Sequence, residues 1–382
     1  MNVLMIINTL SVYGANRSLL DMIQQMRVQN INVFVLVYEH GEFEKQLNEC
    51  GVRTELLGYN LCAHGENQGN VIRRIVRLGR NLSYLTEGKR LVEKYHIDVI
   101  HTNASNVDFG ALLALKCGIP HIWHIRELLY DDYRLKYDFP LLENYLFKKA
   151  DKMIYISDFV KKKRNLNDSN GVVLYDGFEI SSYDIARAEI FDGETIELLY
   201  SGVISEEKGT KDCILAVKEL ITGGYRNVHL SIVGSENAYW KELEKEIKGL
   251  NLEEYIGYYG YQQDMRQFRE KADIAIISSR SEGLGRVTVE SMLGSVLVIC
   301  TNCGANPELV QEGKTGYIYE PGNAKQLSDV IIKSSKEKEI SREIVKKAKE
   351  FALNQFDSGK YAEKMVDLYK ESIESRNTGR KR

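Results

Sequence analysis

The sequence predicts an α/β protein of two Rossmann-like domains, each built on a parallel sheet with helices on both faces. Three observations support this prediction. Short apolar runs recur along the 382 residues, with helical segments between them. Such near-continuous apolar runs are typical of parallel strands, because both faces of a parallel sheet are buried. The length also exceeds that of an ordinary single domain, so two domains are expected.

The predicted strands are short and rich in Val, Ile and Leu. In the first half they lie at residues 2–8, 32–38, 98–102, 120–125 and 152–157. In the second half they lie at residues 196–202, 228–233, 273–278 and 296–300. This spacing fits two βαβ arrays rather than one long sheet.

The domain boundary is predicted near residue 180, because residues 180–193 are polar and carry no strand signal. We therefore expect one domain at 1–180 and a second at 181–360. One long helix is predicted over 341–374. The remaining segment, 361–382, is interpreted as the end of that helix, packing back on the first domain, followed by a basic tail. Residues 60–70 are rich in Gly and Asn and predict a mobile loop without regular structure.

Composition excludes several classes of protein. The net charge of −3 argues against a dedicated nucleic-acid binder. The six cysteines lack the spacing of a disulfide framework, and Cys300 and Cys303, a single CxxC without a second pair, are expected to be small buried hydrophobic residues. The N-terminal residues lack the basic lead of a signal peptide, and no run approaches the ~18 apolar residues of a spanning helix. We therefore expect a cytoplasmic protein.

The most informative segment is 273–294, in which a strand, a glycine loop and a helix follow one another. Gly283 and Gly285 let the backbone approach a ligand closely. The helix that begins near Arg286 offers free N–H groups and a partial positive charge, which suit a phosphate. Glu282 and Glu290 could reach different hydroxyls of one ligand. A helix with acidic residues near its first turn would give the same pattern, so spacing alone leaves both interpretations open.

These residues also carry a family resemblance. EGLGRVTVE (282–290) resembles the E-x7-E motif of the retaining glycosyltransferases of family 4, which have the GT-B fold. The similarity extends over nearly the whole chain. Further resembling segments are YGANRSLL (13–20), WHIRE (123–127), VVLYDGFE (172–179), SGVISEEKG (201–209) and TNCGANPELVQEGKTGYIYEPGN (301–323).

The resemblance implies an enzyme that transfers a sugar from a nucleotide-diphosphate sugar to a hydroxyl group. Its two parallel sheets would face each other across a cleft, with the acceptor on the 1–180 side and the donor on the 181–360 side. UDP is the favoured nucleotide, and GDP remains open. The acceptor would be a saccharide or a lipid-linked sugar, in the synthesis of a cell-surface polysaccharide or glycoconjugate.

Carried over residue by residue, the resemblance implies a donor site in the second domain. Glu290 would bind the ribose hydroxyls, and Glu282 would act as a catalytic residue near the donor sugar. The backbone of Gly283, Leu284 and Gly285 would surround the sugar and the phosphates. Lys208 would neutralise the diphosphate, a task that suits a compact ammonium charge. Without its flanking motif, Lys208 would be interpreted as an ordinary solvated lysine.

One position departs from the family pattern. The family often has an Arg shortly before the lysine of the phosphate loop, where this chain has Val203. Arg286 is the candidate to supply the missing charge. The family also usually has Asn-Gly in the interdomain segment, where this chain has Asp176 and Gly177.

The first domain supplies weaker candidates. Gly14 follows the first strand and would close over the diphosphate, although a tight turn explains one glycine equally well. Trp123, His124 and Arg126 are predicted at or beyond the end of the fifth strand. By resemblance His124 would be catalytic at the anomeric carbon, with His101 and Arg126 on the acceptor side. A histidine on an apolar stretch is also often a core residue, so this alternative stays open.

The chemistry is expected to need no metal and no cofactor. The sequence has no Asp-x-Asp triplet, and cationic side chains and helix N-termini can offset the charge of a leaving diphosphate. The resemblance implies retention at the anomeric carbon by front-face substitution, with the departing phosphate oxygen accepting the proton of the acceptor hydroxyl.

A membrane surface is a further candidate partner. Residues 71–90 interleave Arg73, Arg74, Arg77 and Arg80 with Val, Ile and Leu. Such a helix can lie on anionic lipid, although a surface helix with one solvated face has the same composition. Residues 161–164 are also basic and are interpreted as solvated.

Three other functions fit parts of the pattern. A nucleotide-sugar epimerase shares the two-domain architecture but needs no acceptor. A relative that binds nucleotide sugar without turnover is compatible with Val203. A hinged sugar-binding protein would be expected to carry a secretory signal.

Overall fold

The computed structural model describes residues 1–11, 14–66, 70–166, 169–183 and 189–379. The chain divides into two compact units. The first comprises Met1–Phe178 together with Ser358–Arg382, and the second comprises Glu179–Asp357.

The first unit contains a parallel sheet of seven strands among its described residues, in the order β3-β2-β1-β5-β6-β8-β9. A separate antiparallel pair joins β4 and β7. The strands are β1 (Asn2–Ile6), β2 (Asn32–Val37), β3 (Arg53–Leu56), β4 (Ala63–Gly65), β5 (Val99–Thr102), β6 (His121–Ile125), β7 (Leu135–Tyr137), β8 (Lys152–Tyr155) and β9 (Gly171–Val173).

Helices cover both faces of this sheet. They are α1 (Gly14–Val28), α2 (Glu42–Glu49), α3 (Val71–Lys94), α4 (Phe109–Cys117), α5 (Leu129–Tyr133), α6 (Pro140–Lys149) and α7 (Asp158–Arg164). In α1, Leu19, Met22, Ile23 and Met26 are buried, and their i, i+3, i+4, i+7 spacing places them on one helix face. Successive side chains along each strand point to opposite faces of the sheet. They therefore form two core layers, one beneath α1 and the other beneath α3 and α4.

The second unit has a parallel sheet of six strands among its described residues, in the order β12-β11-β10-β13-β14-β15. The strands are β10 (Ile196–Ser201), β11 (Val228–Val233), β12 (Ile256–Tyr258), β13 (Ile274–Ile277), β14 (Leu297–Thr301) and β15 (Tyr317–Tyr319). A short 3-10 helix, Ile180–Tyr183, opens the unit. Its α-helices are α8 (Thr210–Thr222), α9 (Ala238–Gly249), α10 (Arg266–Lys271), α11 (Arg286–Leu293), α12 (Asn306–Leu309), α13 (Ala324–Lys336) and α14 (Lys338–Gln355).

The single helix predicted over 341–374 is wrong, because the chain forms two helices there. Helix α14 ends at Gln355, and α15 (Ser358–Gly379) belongs to the first unit, where it packs against α1. Ser358 donates a backbone hydrogen bond to the carbonyl of Phe178, at 3.0 Å. A Cβ at Gly177 would lie 2.6 Å from the Ser358 Cα, so only glycine allows the returning chain this close.

All nine predicted strands form, which confirms the predicted fold class of two parallel-sheet domains. The sequence missed β3, β9, β12 and β15. Each of these is an edge strand of only three or four residues, which is too short to give a clear apolar run in the sequence. It also missed the β4–β7 pair. The expectation that residues 60–70 have no regular structure is corrected by β4, while residues 67–69 lie outside the described part.

Two smaller expectations have separate outcomes. Cys300 is fully buried in β14, as expected, but Cys303 lies beyond the strand and is only half-buried. Among the described helices, none combines the length and the apolar character required to cross a membrane.

Candidate functional site

The sheet of the second unit has a topological switch point between β10 and β13. From β10 the chain proceeds outward to β11 and β12, whereas from β13 it proceeds in the other direction to β14 and β15. The loops that follow β10 and β13 therefore diverge and leave a crevice at the carboxyl ends of these strands. In open parallel α/β sheets, ligands bind at this place.

The structure brings Lys208 and Glu282 together at this crevice. Lys208 follows β10 and Glu282 follows β13, and the Lys208 Nζ lies 2.8 Å from the Glu282 Oε1. Ser279 donates a hydrogen bond of 2.6 Å to the same oxygen. Both charged side chains remain partly accessible, at 34% for Lys208 and 19% for Glu282. An anion that enters the crevice would therefore compete with Glu282 for the ammonium group.

Close backbone contacts hold the two loops in place. The Ser278 hydroxyl donates to the carbonyl of Lys208 at 2.8 Å, and the Arg280 amide donates to the carbonyl of Glu207 at 2.8 Å. Gly209 has a φ of +67°, and a Cβ there would lie 2.1 Å from the Ser278 carbonyl oxygen. The glycine that follows Lys208 is therefore required for the loops to meet.

A third loop, which follows β14, contacts the backbone of Glu282. Gly304 has a φ of +62°, and a Cβ there would lie 2.4 Å from the backbone nitrogen of Glu282. The Ala305 amide donates to the Glu282 carbonyl at 2.9 Å. The sequence motif TNCGANP contained Gly304, but only the fold shows that it fixes the backbone of Glu282.

The glycine loop leads into α11 as the sequence predicted. Gly285 is the N-cap of α11 with a φ of +87°, and the Leu284 side chain is buried beneath the loop. Two polar atoms around Gly285, the Thr288 Oγ1 and the Asn306 Oδ1, have no hydrogen-bond partner among the described residues. Because buried polar atoms are usually paired, these two atoms mark a place where a polar ligand could bind.

Glu290 is buried and contacts three side chains within the second unit. One carboxylate oxygen accepts from the Tyr183 hydroxyl at 3.2 Å and lies 3.5 Å from the Arg286 guanidinium. The other oxygen accepts from Arg269. A carboxylate has about four acceptor positions, so these contacts leave capacity for a ligand hydroxyl. Sequence reasoning missed Arg269 and Tyr183, because neither belongs to a recognisable motif.

The position of the missing family arginine is exposed in this chain, with Val203 65% accessible. A guanidinium nevertheless reaches the loop after β10 from another strand. Arg280, which follows β13, donates to the Glu206 carbonyl at 2.9 Å and to Asp212 at 3.1 Å. Arg280 is therefore a second candidate, beside Arg286, for the charge that Val203 lacks.

In the first unit, the corresponding switch point lies between β1 and β5. Gly14 is the first residue of α1, close after β1. The Asn16 side-chain amide donates to the carbonyls of Thr9 at 2.9 Å and Ser11 at 2.7 Å, and these bonds fix the described part of the loop. Tyr13, the first residue of the resembling motif, lies outside the described residues.

His124 is the penultimate residue of β6, close to the end of the strand as predicted. Its side chain is fully buried, with no hydrogen-bond partner for either ring nitrogen among the described residues. His101, inside β5, is also fully buried, and its Nδ1 lies 2.5 Å from the Tyr369 hydroxyl of α15. Burial lowers the pKa of His101 to about 3 and that of His124 well below its ordinary value, so both imidazoles are neutral.

Arg126 is the first residue beyond β6, but its guanidinium is directed into the first unit. It forms a two-pronged ion pair with Asp176, in which the Nη1–Oδ1 distance is 2.9 Å. The side chains are only 4% and 0% exposed. This pair gives a physical reason for Asp176, where the family usually has Asn.

Glu127 is the next residue and is only half-buried at the same strand end. Its Oε1 accepts a hydrogen bond of 2.9 Å from the Ser105 amide, in the loop after β5. Burial raises the pKa of Glu127 to about 7. Nothing in the sequence around Glu127 indicates a raised pKa, so this residue is not recognisable as a candidate from the sequence.

Two family models match the chain. Residues 183–351 match the family described as "Glycosyl transferases group 1". Residues 13–163 match the "Glycosyl transferase 4-like domain". The two matches fall on the second and first units respectively, and together they include all the donor-site candidates described above.

Several curated relatives with modest identity are named as glycosyltransferases or as related sugar-transferring enzymes. An uncharacterized glycosyltransferase of Methanocaldococcus jannaschii is 27% identical over 318 residues, which cover 79% of this chain and 85% of the relative. The N-acetyl-alpha-D-glucosaminyl L-malate synthase of Bacillus anthracis is 26% identical over 183 residues, about half of each chain. The capsular polysaccharide biosynthesis glycosyltransferase CapM of Staphylococcus aureus is 23% identical over 243 residues, which cover 60% of this chain and 64% of CapM.

Solved structures share the fold. Anabaena HepE in complex with UDP superposes with a TM-score of 0.81 at 20% identity, covering 97% of this chain and 100% of HepE. S. aureus TarM, solved in a complex that includes UDP, superposes with a TM-score of 0.74 at 13% identity, covering 96% and 99%. The family matches, the relatives and the GT-B fold agree, and the chain belongs to the group 1 glycosyltransferases.

Proposed function

We propose that this glycosyltransferase moves a sugar from a UDP-sugar to a hydroxyl of a saccharide or lipid-linked acceptor, with retention at the anomeric carbon. The observation that carries the proposal is the pairing of Lys208 with Glu282 at the switch point of the second unit. The family models, and the UDP in the complexes of HepE and TarM, support a nucleotide-sugar donor. The CapM relative supports a role in polysaccharide synthesis.

The donor site has the charges that a nucleotide diphosphate needs. Lys208 supplies a compact cation, and the N-terminus of α11 adds backbone N–H groups. Arg269 and Arg286 both contact the Glu290 carboxylate and hold it in place. The acceptor capacity that remains on Glu290 suits a ribose hydroxyl.

In the proposed reaction, the bond between the anomeric carbon and the β-phosphate oxygen breaks on the same face on which the acceptor oxygen attacks. The departing phosphate oxygen takes the proton of the acceptor hydroxyl, so that UDP leaves with its charge stabilised by Lys208. When the Lys208 ammonium pairs with the diphosphate instead of Glu282, the Glu282 carboxylate can contact the donor sugar. Preorganised charges of this kind act without the cost of reorganising solvent.

The histidines of the first unit take a supporting part in this proposal. Because His124 and His101 are buried and neutral, we assign them to the layer that supports the strand ends rather than to the sugar. Arg126, held by Asp176, fixes the backbone from which the half-buried Glu127 projects. Glu127 is then the side chain at this strand end that is best placed to meet an acceptor.

Ligand-observed NMR tests the proposal directly. UDP-, GDP- and dTDP-sugars are screened against the wild-type chain and against Glu290→Ala, with Glu244→Ala, an exposed position on α9, as control. Binding of a UDP-sugar to the wild type and the control, but not to Glu290→Ala, supports the donor site. The anomeric configuration of the transferred sugar, read by proton NMR, then distinguishes retention from inversion.

Two alternatives give different products. An epimerase converts the nucleotide sugar itself without any acceptor, so the donor's own sugar would change in the NMR sample. A relative without activity would bind the donor and leave it intact with every acceptor offered. Release of free UDP that depends on an acceptor contradicts both.

We also propose that the reaction needs no metal, because side chains and α11 supply the positive charge. The test is activity after treatment with a chelator. Full loss of activity that magnesium restores would contradict this part of the proposal, whereas unchanged activity would support it.

A specific surface feature favours peripheral attachment to the inner face of the cell membrane. In the first two turns of α3, Val71, Ile72, Ile75 and Val76 are all about half exposed or more, with Ile72 at 70%. Arg73 is exposed beside them, while Arg77 is held by Asp138. Exposed aliphatic side chains next to arginines suit a bilayer with anionic headgroups, where a lipid-linked acceptor would reside.

A further inference from the structure

A second group of chemically reactive side chains lies inside the first unit. Cys62, Asp108 and Glu143 each offer one potential ligand atom, and these three atoms lie within 4.8 Å of one another. All three residues are buried. Nothing in the proposed sugar transfer uses them.

Glu143 has no visible partner for its charge. Its side chain is fully buried, and neither carboxylate oxygen has a hydrogen-bond partner among the described residues. Placing an unpaired carboxylate in the interior costs several kcal/mol or more. A second carboxylate, that of Asp108, lies in the same cluster and increases the repulsion.

The nearby cationic side chains form no ion pair with the carboxylates of the cluster among the described residues. Arg77 and His64 both bind Asp138, at 2.9 Å from the Arg77 Nε and 2.8 Å from the His64 Nδ1. Arg164 lies over the aromatic rings of Tyr137 and Phe147.

We propose that Cys62, Asp108 and Glu143 bind one divalent transition-metal ion, with Zn²⁺ as the ion of best fit. A thiolate with two carboxylates is a ligand set that zinc accepts, whereas magnesium and calcium prefer oxygen alone. Asn81 donates a hydrogen bond of 2.9 Å to the Asp108 Oδ1 and would orient that ligand.

The ion would join three elements of the first unit. Cys62 directly precedes β4, Asp108 directly precedes α4, and Glu143 lies in α6. These ligands are far apart in sequence, so one ion would cross-link the β4–β7 pair to two helices. The site therefore stabilises the first unit, and the sugar-transfer chemistry of the second unit does not pass through it.

The competing explanation is a single proton shared by Asp108 and Glu143. Such a proton would remove one negative charge and would need no metal. The two explanations differ in what a Glu143→Gln substitution does. If a metal ion is bound, the substitution removes one ligand and lowers the affinity for the ion. If a proton is shared, the substitution replaces a neutral acid by a neutral amide and costs little stability.

The experiment uses the full chain, purified without a metal-affinity tag. Its zinc content is measured by mass spectrometry, and the chelator-treated protein is titrated with Zn²⁺ and with Co²⁺ alone. The expected results are binding of about one ion per chain, a rise in Tm with Zn²⁺, and the thiolate-to-cobalt absorption band of a cysteine ligand. Cys62→Ser should lose that band, and Glu143→Gln should bind at least about tenfold more weakly.

Cys300→Ala is the matched control, because Cys300 is also a buried free cysteine but lies in β14 of the second unit. It should keep both the band and the affinity. If Cys62→Ser does not fold, Glu143→Gln and Asp108→Asn decide the outcome. Wild-type protein that neither contains nor binds Zn²⁺ or Co²⁺, or a cobalt band that persists in Cys62→Ser, overturns the proposal and leaves the shared proton.

Discussion

The Lys208 Nζ lies 2.8 Å from the Glu282 Oε1, although 74 residues separate them in the chain. Lys208 lies in the loop after β10, and Glu282 lies in the loop after β13. These two strands are neighbours in the sheet, and from them the chain proceeds toward opposite edges. Glu282 therefore holds the ammonium group in the crevice in which an anionic ligand would need it. A ligand phosphate must replace or share this contact, so binding depends on both residues.

Replacing Lys208 by alanine should raise the donor KM or lower kcat/KM about ten- to a hundredfold. This range corresponds to one charge-assisted contact of about 1.5–3 kcal/mol. The measurement is steady-state kinetics with UDP-sugar. Lys211→Ala is the control, because Lys211 lies three residues away on α8 and pairs with Glu246 at the surface. Equal kinetics for both variants would remove Lys208 from the donor site.

The two candidate arginines can be separated by comparing Arg286→Ala with Arg280→Ala. Arg286 lies at the start of α11 beside Glu290, whereas Arg280 lies beside the loop of Lys208. If Arg286 supplies the charge that Val203 lacks, Arg286→Ala should raise the donor KM about tenfold or more. An unchanged KM for Arg286→Ala with a raised KM for Arg280→Ala would assign the task to Arg280.

Breaking the buried pair of Arg126 and Asp176 should strongly destabilise the first unit. Asp176→Ala leaves a buried guanidinium without a counter-charge, at a cost of about 3–5 kcal/mol in the free energy of unfolding. Urea unfolding measures this loss. Asp329→Ala, which breaks an exposed pair with Lys325 on α13, should cost less than about 1 kcal/mol. A similar loss for both variants would contradict the assignment.

The buried histidines should make stability depend on pH. The pKa of His101 falls from 6.5 to about 3 on folding, because burial penalises the charged imidazole. Between these values the unfolded chain binds a proton that the native state does not. Stability is therefore full above about pH 6.5 and decreases as the pH falls toward 3, by up to about 1.4 kcal/mol per pH unit for one such group.

His101→Gln removes one of these groups and should flatten the decrease. Urea midpoints at pH 7, 6, 5 and 4 give the slope for the wild type and the variant. Substituting the exposed His40 should leave the slope as it is. A slope that is the same in all three proteins would show that His101 does not carry the effect.

The exposed stripe on α3 predicts binding to anionic vesicles. Ile72→Ser with Ile75→Ser should reduce co-sedimentation with vesicles that contain phosphatidylglycerol about tenfold or more, because two exposed aliphatic side chains that would insert into the bilayer are lost. Ile340→Ser, at an exposed isoleucine of α14, is the control. Wild-type protein that does not sediment with anionic or neutral vesicles would end this proposal.

The two parallel sheets and most of the candidate donor loops are predictable from residue type and order along the chain. Each central strand is a continuous apolar run, because it is buried on both faces, and this pattern can be recognised without any contact information. The glycines of the loop before α11, and the spacing of Glu282 and Glu290, are likewise local. Their ligand chemistry follows from backbone freedom and the helix N-terminus.

Which distant groups meet depends on the three-dimensional fold. The partners of Glu290, the support of Glu282 by Gly304 and the cluster around Glu143 join loops and helices that are far apart in the chain. The burial of His101 also depends on α15, where the Tyr369 hydroxyl contacts its ring. Burial, pairing and the pKa shifts that follow from them depend on three-dimensional neighbours, and residue type and spacing do not specify those neighbours.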